Sequence, residues 1–452
     1  MVLIPKTRFS NIHMIGIGGS GMSGIAEILH NLGFNVRGSD TSKKETTERL
    51  EKLGVKVFYG HKAENVEGAD IVVYSSAITP DNPELIRAKE LGIPVIQRAE
   101  MLAELMRVKF SIAVSGAHGK STTTSMIGHI LQRANKNPTV IVGGILRDRG
   151  SGSLMGSGEY LVVEADESDR SFLKLLPSIA IITNIDREHM DTYGSMASLK
   201  MAFIEFANKV PFYGSVILCG DDKNTRDIIP FIEKRFFTYG FSGENDIFVE
   251  DLKVEGLGSE FVVKGFGERV LGKLNVPGKY NVLNAMASII AAWELGISLR
   301  ESLEYLVDFK GVGRRFEIKG EKLGATFVDD YGHHPTEIMG VIEVAKGMGK
   351  RVVMVFQPHR YTRTMDLHGE FANVLKEADF VILLPIYPAG ERPISGVSSE
   401  LIYKALKSLG YENVVMVGDF DEAVDTLRKV VREGDIVLLQ GAGDVYKIYE
   451  KV

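Results

Sequence analysis

The sequence predicts an α/β protein of three domains, each built on a mostly parallel sheet. Three observations carry that prediction. Short apolar runs alternate with helical stretches along nearly the whole chain, the pattern of strands joined by crossover helices. Two of those runs end in glycine-rich loops that open directly into helices. The chain has 452 residues, 44% apolar and 25% charged, which suits several globular cores rather than one.

The first domain is expected over residues 1–106, Rossmann-like in pattern. "NIHMIGIGG" reads as a strand and turn. "MSGIAEILHNLG" follows with helical spacing and closes on Gly33. "NVRGSD" is a second strand ending at Asp40, and "ADIVVYSSAI" and "IPVIQRAEML" continue the series. The second domain, over 107–310, opens on the buried strand "FSIAVSG" and the helix "KSTTTSMIGHILQRA". "EYLVVEADES", "SIAIITNID" and "SVILCGDD" are further strands. Residues 236–276 are Gly-punctuated and alternating, like hairpins. "GKYNVLNAMASIIAAWELG" is a helix, with Val282, Leu283, Met286, Ile289, Ile290 and Trp293 at helical spacing. The third domain, over 311–452, repeats the architecture with strands in "ATFVDDYGHH", "KRVVMVFQPH", "ADFVILLPIYP" and "GDIVLLQGAG".

Composition narrows the function. The net charge is −6, without a long basic run, so nucleic acid is not expected as a partner. No 18-residue apolar stretch exists to span a membrane, and the first residues lack the apolar core of a signal peptide. The single cysteine, Cys219, has no partner for an internal disulfide and reads as a buried strand residue. A cytoplasmic location is the expectation.

Two loops suggest phosphate chemistry. "GIGGSGMSG", residues 16–24, places Gly16, Gly18 and Gly21 in G-x-G-x-x-G spacing between a strand and a helix. Backbone N–H groups there can approach a diphosphate, and Asp40 ends the next strand, where a carboxylate suits a ribose hydroxyl. The spacing fits a dinucleotide or a sugar nucleotide, or a packing turn with no ligand. "VSGAHGKSTTT" is a variant ATP loop: Gly119, Lys120 and Ser121 match the consensus, while Val114 replaces its first glycine and Gly116 lies nearer. Lys120 offers a charge to phosphates and Ser121 a hydroxyl to Mg²⁺. His118 is either a contact or a mere turn residue.

Acidic and basic clusters follow other strands. In "LVVEADES" Glu164 is the first carboxylate after the buried run and suits a metal, whereas Asp166, Glu167 and Asp169 read as solvated or capping groups. His189, in "TNIDREHMD", suits a metal shell or a structural role. "FVDDYGHHPTE" offers Asp329 and Asp330 to ribose or water, and His333 and His334 to proton transfer, with Pro335 starting a helix. "VFQPHRYTRT" ends its strand with His359, Arg360 and Arg363, suited to carboxylate or phosphate recognition. Capping and surface charge are the plain alternatives for both clusters.

In order along the whole chain, "GIGGSGMSG", "YSSAI", "GAHGKSTTT", "EADESD", "NIDREHMD", "NVLNA", "GVGRRFE", "DDYGHHPTE", "FQPHRYTRT", "YPAGE" and "GAGD" resemble the Mur ligases of peptidoglycan synthesis. The resemblance implies a sugar nucleotide, not NAD, on the first loop. It implies an ATP-dependent, ADP-forming ligase that joins L-alanine to the lactyl carboxylate of UDP-N-acetylmuramate through an acyl phosphate. The alternative is a recycling ligase adding a whole peptide to the same nucleotide. The resemblance places Gly18, Gly19, Ser20 and Gly21 on the UDP-sugar, with Asp40, Ser75 and Ser76 nearer the uridine. It places Gly116, Ala117, His118, Gly119, Lys120, Ser121 and Thr122 on ATP, and Asn281 and Asn284 near its adenine. Arg315 and Asp330 would approach ATP when the C-terminal domain swings in, excluding water. Ser121, Glu164 and His189 would hold Mg²⁺ or Mn²⁺. Lys120, Glu164, His189 and His334 would be catalytic, and His334, His359, Arg360 and Arg363 would face the amino acid. A monomer or weak homodimer is expected. Sister ligases carry a carbamylated lysine 14 or 15 residues after the matching histidine; here those positions are Phe203 and Ile204, and Lys200 is off register. No carbamate is therefore expected.

Overall fold

The computed structural model describes residues 10–75, 77–146 and 151–452; Ser20 and residues 144–146 and 151–153 are described by backbone alone. Among these residues the strands form three sheets. Contacts gather the chain into two compact units. One is Met1–Leu252 with Glu260–Lys273 and Asn281–Gly311; the other is Lys253–Ser259 with Leu274–Tyr280 and Val312–Val452.

The first sheet runs in the order Lys56–Tyr59, Asn35–Asp40, Asn11–Ile15, Ile71–Tyr74, Val95–Gln97. Every pairing is parallel. Chain order reverses at Asn11–Ile15, so the glycine loop leaves the sheet at its topological switch point, where open α/β sheets bind ligands. The following helix is Ser20–Asn31, and Gly33 ends it at φ +84°. An L side chain would be strained there, which is why the C-terminal glycine was legible.

The second sheet centres on Phe110–Ser115, flanked in parallel by Tyr160–Glu164 and Ile179–Ile182. These strands are almost wholly buried, as expected for apolar runs covered on both faces. Ser215–Cys219 and then Phe236–Gly240 extend it, again in parallel. Cys219 is buried, as its strand pattern predicted. The hairpin expectation for residues 236–276 needs correcting at its start, because Phe236–Gly240 is a parallel strand. Only Ile247–Glu255, Gly258–Gly265 and Glu268–Leu274 are neighbours joined by two-residue turns. At the other edge Thr139–Leu146 pairs antiparallel with Ser151–Leu154, a hairpin the sequence reading did not find.

The third sheet, in the second unit, runs Glu317–Lys322, Ala325–Asp330, Ile436–Gln440, Val352–Phe356, Phe380–Leu383, Val414–Met416. Only its first pairing is antiparallel. Alternate residues serve opposite faces: Val328, Met354 and Leu438 join one apolar cluster, and Phe327, Val353, Val355 and Leu439 the other. Each fully buried side chain of this size contributes about 1.5–3 kcal/mol. Asp330 and Phe356 both stand level with Gln440, so the segments after all three strands leave the sheet at one edge.

Candidate functional site

The first loop is internally braced. The N–H groups of Gly16 and Ile17 both donate to the Ser39 carbonyl, and that of Gly19 donates to the Gly16 carbonyl. Gly18 N–H donates to Asp40 Oδ2 at 2.9 Å. A Cβ at Gly18 would stand 2.7 Å from Thr47 and 2.8 Å from Asp40, so the glycine is needed for close approach. Gly19 caps the helix, whose first internal bond runs from Ser23 N to Gly19 O. The N–H groups of Ser20, Gly21 and Met22 are therefore the ones left for an anion. Arg98 lies beside them, its Nη1 2.7 Å from where a Gly21 Cβ would be.

Asp40 is tied into the loop itself. It is buried, and its other oxygen takes Lys44 Nζ at 2.8 Å. Burial alone would raise its carboxyl, but Lys44 and the Gly18 N–H outweigh that and hold it below the usual carboxylate range. The carboxylate is occupied in bracing the loop. Ser75 continues the neighbouring strand, with its N–H on the Ile15 carbonyl at 3.2 Å. Ser76 lies outside the described residues.

The second loop follows the same plan with different chemistry. Ala117 N–H donates to Asn184 O at 3.1 Å, and His118 N–H to Asn184 Oδ1 at 2.9 Å. Thr183 Oγ1 donates back to His118 O at 2.6 Å. A Cβ at Gly116 would stand 2.2 Å from Thr183 Oγ1, and one at Gly119 2.4 Å from Asn284 Oδ1. Gly119 sits at φ +83° and caps helix Lys120–Arg133. The helix's first internal bond is from Thr123 N to Gly119 O, which leaves the N–H groups of Lys120, Ser121 and Thr122 facing out. Asn284 also accepts from Thr123 Oγ1 at 3.2 Å and donates to Asn281 Oδ1 at 3.1 Å, so both asparagines predicted for the adenine end stand at this loop.

Three carboxylate groups converge on the loop's helix. Ser121 Oγ donates to Glu164 Oε2 at 2.9 Å. Lys120 Nζ donates to Gly116 O at 2.6 Å, Ala117 O at 3.1 Å and Glu167 Oε1 at 3.0 Å. Glu167, read from sequence as solvated or capping, is instead 2% exposed. Its neighbours behave as read: Asp166 Oδ1 caps Ser168 N and Asp169 Oδ1 caps Ser171 N. His189 caps helix Met190–Tyr193 in the left-handed region. Its Nε2 stands 3.7 Å from Glu167 and 3.8 Å from Glu188. Burial would depress the Lys120 ammonium, but Glu167, Asp166, Glu164 and Glu188 hold it above its ordinary value. Burial pushes Glu167 the other way for an acid, up to about 7, against the pull of Lys120. Several carboxylates share one lysine, so its charge is favoured and that of the most buried acid is not. His118 has a partner for its ring, with Nε2 3.0 Å from Asp186 Oδ2. Lys200 pairs with Asp227 at 2.8 Å, and Phe203 is buried in the core.

The second unit gathers its histidines and arginines at the sheet edge. Asp330 accepts from Phe316 N, Gly332 N and Gln440 Nε2, at 2.8, 2.7 and 2.8 Å. Asp329 is buried against Arg314, which also donates to the Gly441 and Gly443 carbonyls. Burial pushes Asp329 up to about 6 against the Arg314 charge. Both carboxylates thus hold the strand ends together, whatever ligand they also meet. Arg315 pairs with Glu337 at 3.1 Å. His334 is buried and caps helix Pro335–Gly347, with Nδ1 accepting from Thr336 N at 3.4 Å. His333 packs on His359, ring centroids 5.4 Å apart, and His359 stacks on Tyr387. Arg360 has φ +71°, and its N–H donates to Tyr387 O. Arg363 does not end the strand, as read from sequence; it lies in the first turn of helix Tyr361–Leu375, with Nη1 3.2 Å from His359 Nδ1.

Family models match along nearly the whole chain: "Mur ligase family, catalytic domain" over residues 11–110, "Mur ligase middle domain" over 114–292, and "Mur ligase, glutamate ligase domain" over 314–443. The chain belongs to the Mur ligase family. This Mur ligase is 50% identical over 448 residues to the UDP-N-acetylmuramate–L-alanine ligase of Geotalea daltonii, covering 98% of each chain. It is 50% identical to the enzyme of the same name from Desulfatibacillum aliphaticivorans, covering 97% of each. The crystal structure of the UDP-N-acetylmuramate–alanine ligase of Thermotoga maritima matches with a TM-score of 0.80 at 33% identity, over 98% of this chain and 97% of that one. A murein peptide ligase from Psychrobacter arcticus matches with a TM-score of 0.72 at 23% identity, over 98% and 97%, and shares the fold.

The sequence reading of this Mur ligase missed Arg98, Glu167, Glu188 and Arg314. "QRAEML" gave a signal for Arg98 only in hindsight, because nothing local links it to Gly21. Glu167 was visible as one of four acids in "EADESD", with no sign of which would be buried.

Proposed function

We infer that this Mur ligase joins L-alanine to the lactyl carboxylate of UDP-N-acetylmuramate, with ATP as co-substrate, in peptidoglycan precursor synthesis. The observation that carries the reading is 50% identity across 98% of the chain to a ligase named for those two substrates. The recycling alternative is not favoured, since the murein peptide ligase above is far more distant in sequence.

The residues take roles that their chemistry supports. The outward N–H groups of Ser20, Gly21 and Met22, with Arg98, hold the diphosphate of the sugar nucleotide. The N–H groups of Lys120, Ser121 and Thr122 hold ATP phosphates, and Asn281 and Asn284 stand toward the adenine. Lys120 places a positive charge where charge spreads during phosphoryl transfer. The γ-phosphoryl group passes to the carboxylate and ADP forms. The neutral amine of L-alanine then adds to the acyl phosphate carbon; phosphate leaves and the amide remains. The amine arrives as an ammonium and must lose a proton, for which His334 and His359 are the candidate acceptors. Arg360 and Arg363 suit the carboxylate of the amino acid.

The donor set fits a hard divalent cation such as Mg²⁺ or Mn²⁺: the Ser121 hydroxyl beside Glu164, with His189 among Glu167 and Glu188. When bound, such an ion supplies charge neutralisation at the phosphates.

The test is ADP release with Mg-ATP and UDP-N-acetylmuramate, adding single L-amino acids or the recycled tripeptide. Release that requires both the sugar nucleotide and L-alanine is expected. Release with the tripeptide alone would replace the reading with the recycling one.

A further inference from the structure

One of the arginines read for the amino acid's carboxylate is held in an unusual way. Arg360 has φ +71° and ψ 141°. Arg170 and His189 also start helices at positive φ, but their ψ values of 7° and 37° lie in or near the left-handed region that L residues visit. Arg360 stands instead close to a region that in practice belongs to glycine. Such strain persists only where the surroundings over-determine it.

The segment from Tyr387 to Glu391 ties the chain down on both sides of Arg360. Before it, Tyr387 N–H donates to Pro358 O at 2.8 Å, and the Tyr387 ring stacks on His359. At Arg360 itself, the N–H donates to Tyr387 O at 2.9 Å. Beyond it, Glu391 takes both donors of Thr362, the N–H at 3.1 Å and Oγ1 at 2.6 Å. A turn bond from Glu391 N–H to Pro388 O, at 2.9 Å, joins the two ends of the clamp. The Thr362 N–H is one that helix Tyr361–Leu375 leaves unmet, and a carboxylate suits it. Were the clamp released, φ could return to about −60°. With the N–H fixed, that would swing the Arg360 side chain by about 130° around the N–Cα bond. We propose that Glu391 is a positioning residue: it holds Arg360 in its strained backbone and so aims the guanidinium at the carboxylate of the amino acid. The proposal rests on the reading of Arg360 under the proposed function. It gives Glu391 a role through its two hydrogen bonds, not through its charge.

ADP release is measured against L-alanine concentration. Glu391→Ala should raise KM for L-alanine about tenfold or more, with kcat and the KM values for ATP and the sugar nucleotide within about twofold of the parent. Glu391→Gln should stay within about threefold of the parent, since an amide can accept from the Thr362 N–H and donate to its hydroxyl. An unchanged KM in Glu391→Ala would overturn the proposal. So would a Gln variant as impaired as the Ala one, which would mean that the charge itself meets the substrate. If Glu391→Ala fails to fold, Thr362→Val takes its place, losing the hydroxyl bond alone; KM should then rise about threefold, and no rise would overturn the proposal. The clamp is also tested without substrate. Arg360→Gly should raise Tm by about 2 °C or more in the parent, because glycine adopts this backbone without strain. In the Glu391→Ala chain, already relaxed, the gain should be less than half as large. An equal gain in both, or none in the parent, would overturn the clamp. Absence of L-alanine-dependent release in the parent would sink the substrate reading, while the unfolding comparison would still decide whether Glu391 holds Arg360.

Discussion

The two glycine loops of the first unit share a backbone plan and differ in what surrounds it. Each follows a central parallel strand, spends its early N–H groups on its own domain, and leaves the first helical N–H groups outward. Around the first stand Arg98 and a carboxylate, Asp40, that is turned inward and neutralised by Lys44. Around the second stand Lys120, Glu164, Glu167 and Glu188, with His189. A loop that only holds an anion needs donors and a fixed cation. A loop at which a phosphoryl group moves also needs charges that can be exchanged. On the proposed reading the same supersecondary unit serves binding in one domain and chemistry in the next, and the difference lies in side chains brought from other strands.

Substitutions can break that contrast. The largest effect is expected at Lys120: Lys120→Met should lower kcat for L-alanine-dependent ADP release by about a thousandfold or more, because a charge aimed at the transferring group is lost. Gly119→Ala comes next. Its φ of +83° costs an L residue about 1–2 kcal/mol, and the new Cβ would meet Asn284. ADP affinity measured by calorimetry should fall about tenfold or more, with UDP-N-acetylmuramate affinity unchanged. Arg98→Ala should do the reverse. A charge-assisted contact is worth about 1.5–3 kcal/mol, so KM for the sugar nucleotide should rise about 10- to 100-fold while KM for ATP and kcat hold. A kcat loss there would mean the first loop does more than bind.

The smallest effect concerns pH. The Asp40 carboxyl is held below its ordinary value of 3.8 in the folded chain, so it stabilises the fold above that pH and the contribution fades as pH falls through the lower folded value. Asp40→Asn should lower Tm at pH 7. The gap between variant and parent should narrow below about pH 4, as scanning calorimetry would show.

Much of this was legible in the sequence. The strand–loop–helix units were, because glycine spacing and apolar runs are local signals; helix Lys279–Glu294 fell where the spacing of Val282, Met286 and Ile290 placed it. Glu164 was legible as the first carboxylate after a buried run, and its strand lies beside the one that feeds the second loop, which brings it to Ser121. Asp40 was harder. A carboxylate at a strand end looks the same in sequence whether or not it folds back onto its own loop, and nothing local announces the Lys44 ion pair. Glu167 and Arg98 were out of reach for a related reason. Their burial and neighbours come from segments 47 and 77 residues away, distances at which no periodicity reports.

The helix that presents Asn281 and Asn284 to the second loop ends near the chain's single tryptophan. Trp293 lies face to face with Phe266, ring centroids 4.0 Å apart, and edge-on to Phe237. Nine residues of helix, about 13 Å, separate it from Asn284. The protein thus carries its one indole, distinguishable from its 15 tyrosines, at the far end of a rigid rod whose near end touches the second glycine loop. Excited at the red edge where the tyrosines do not absorb, its emission can report on that rod without a label.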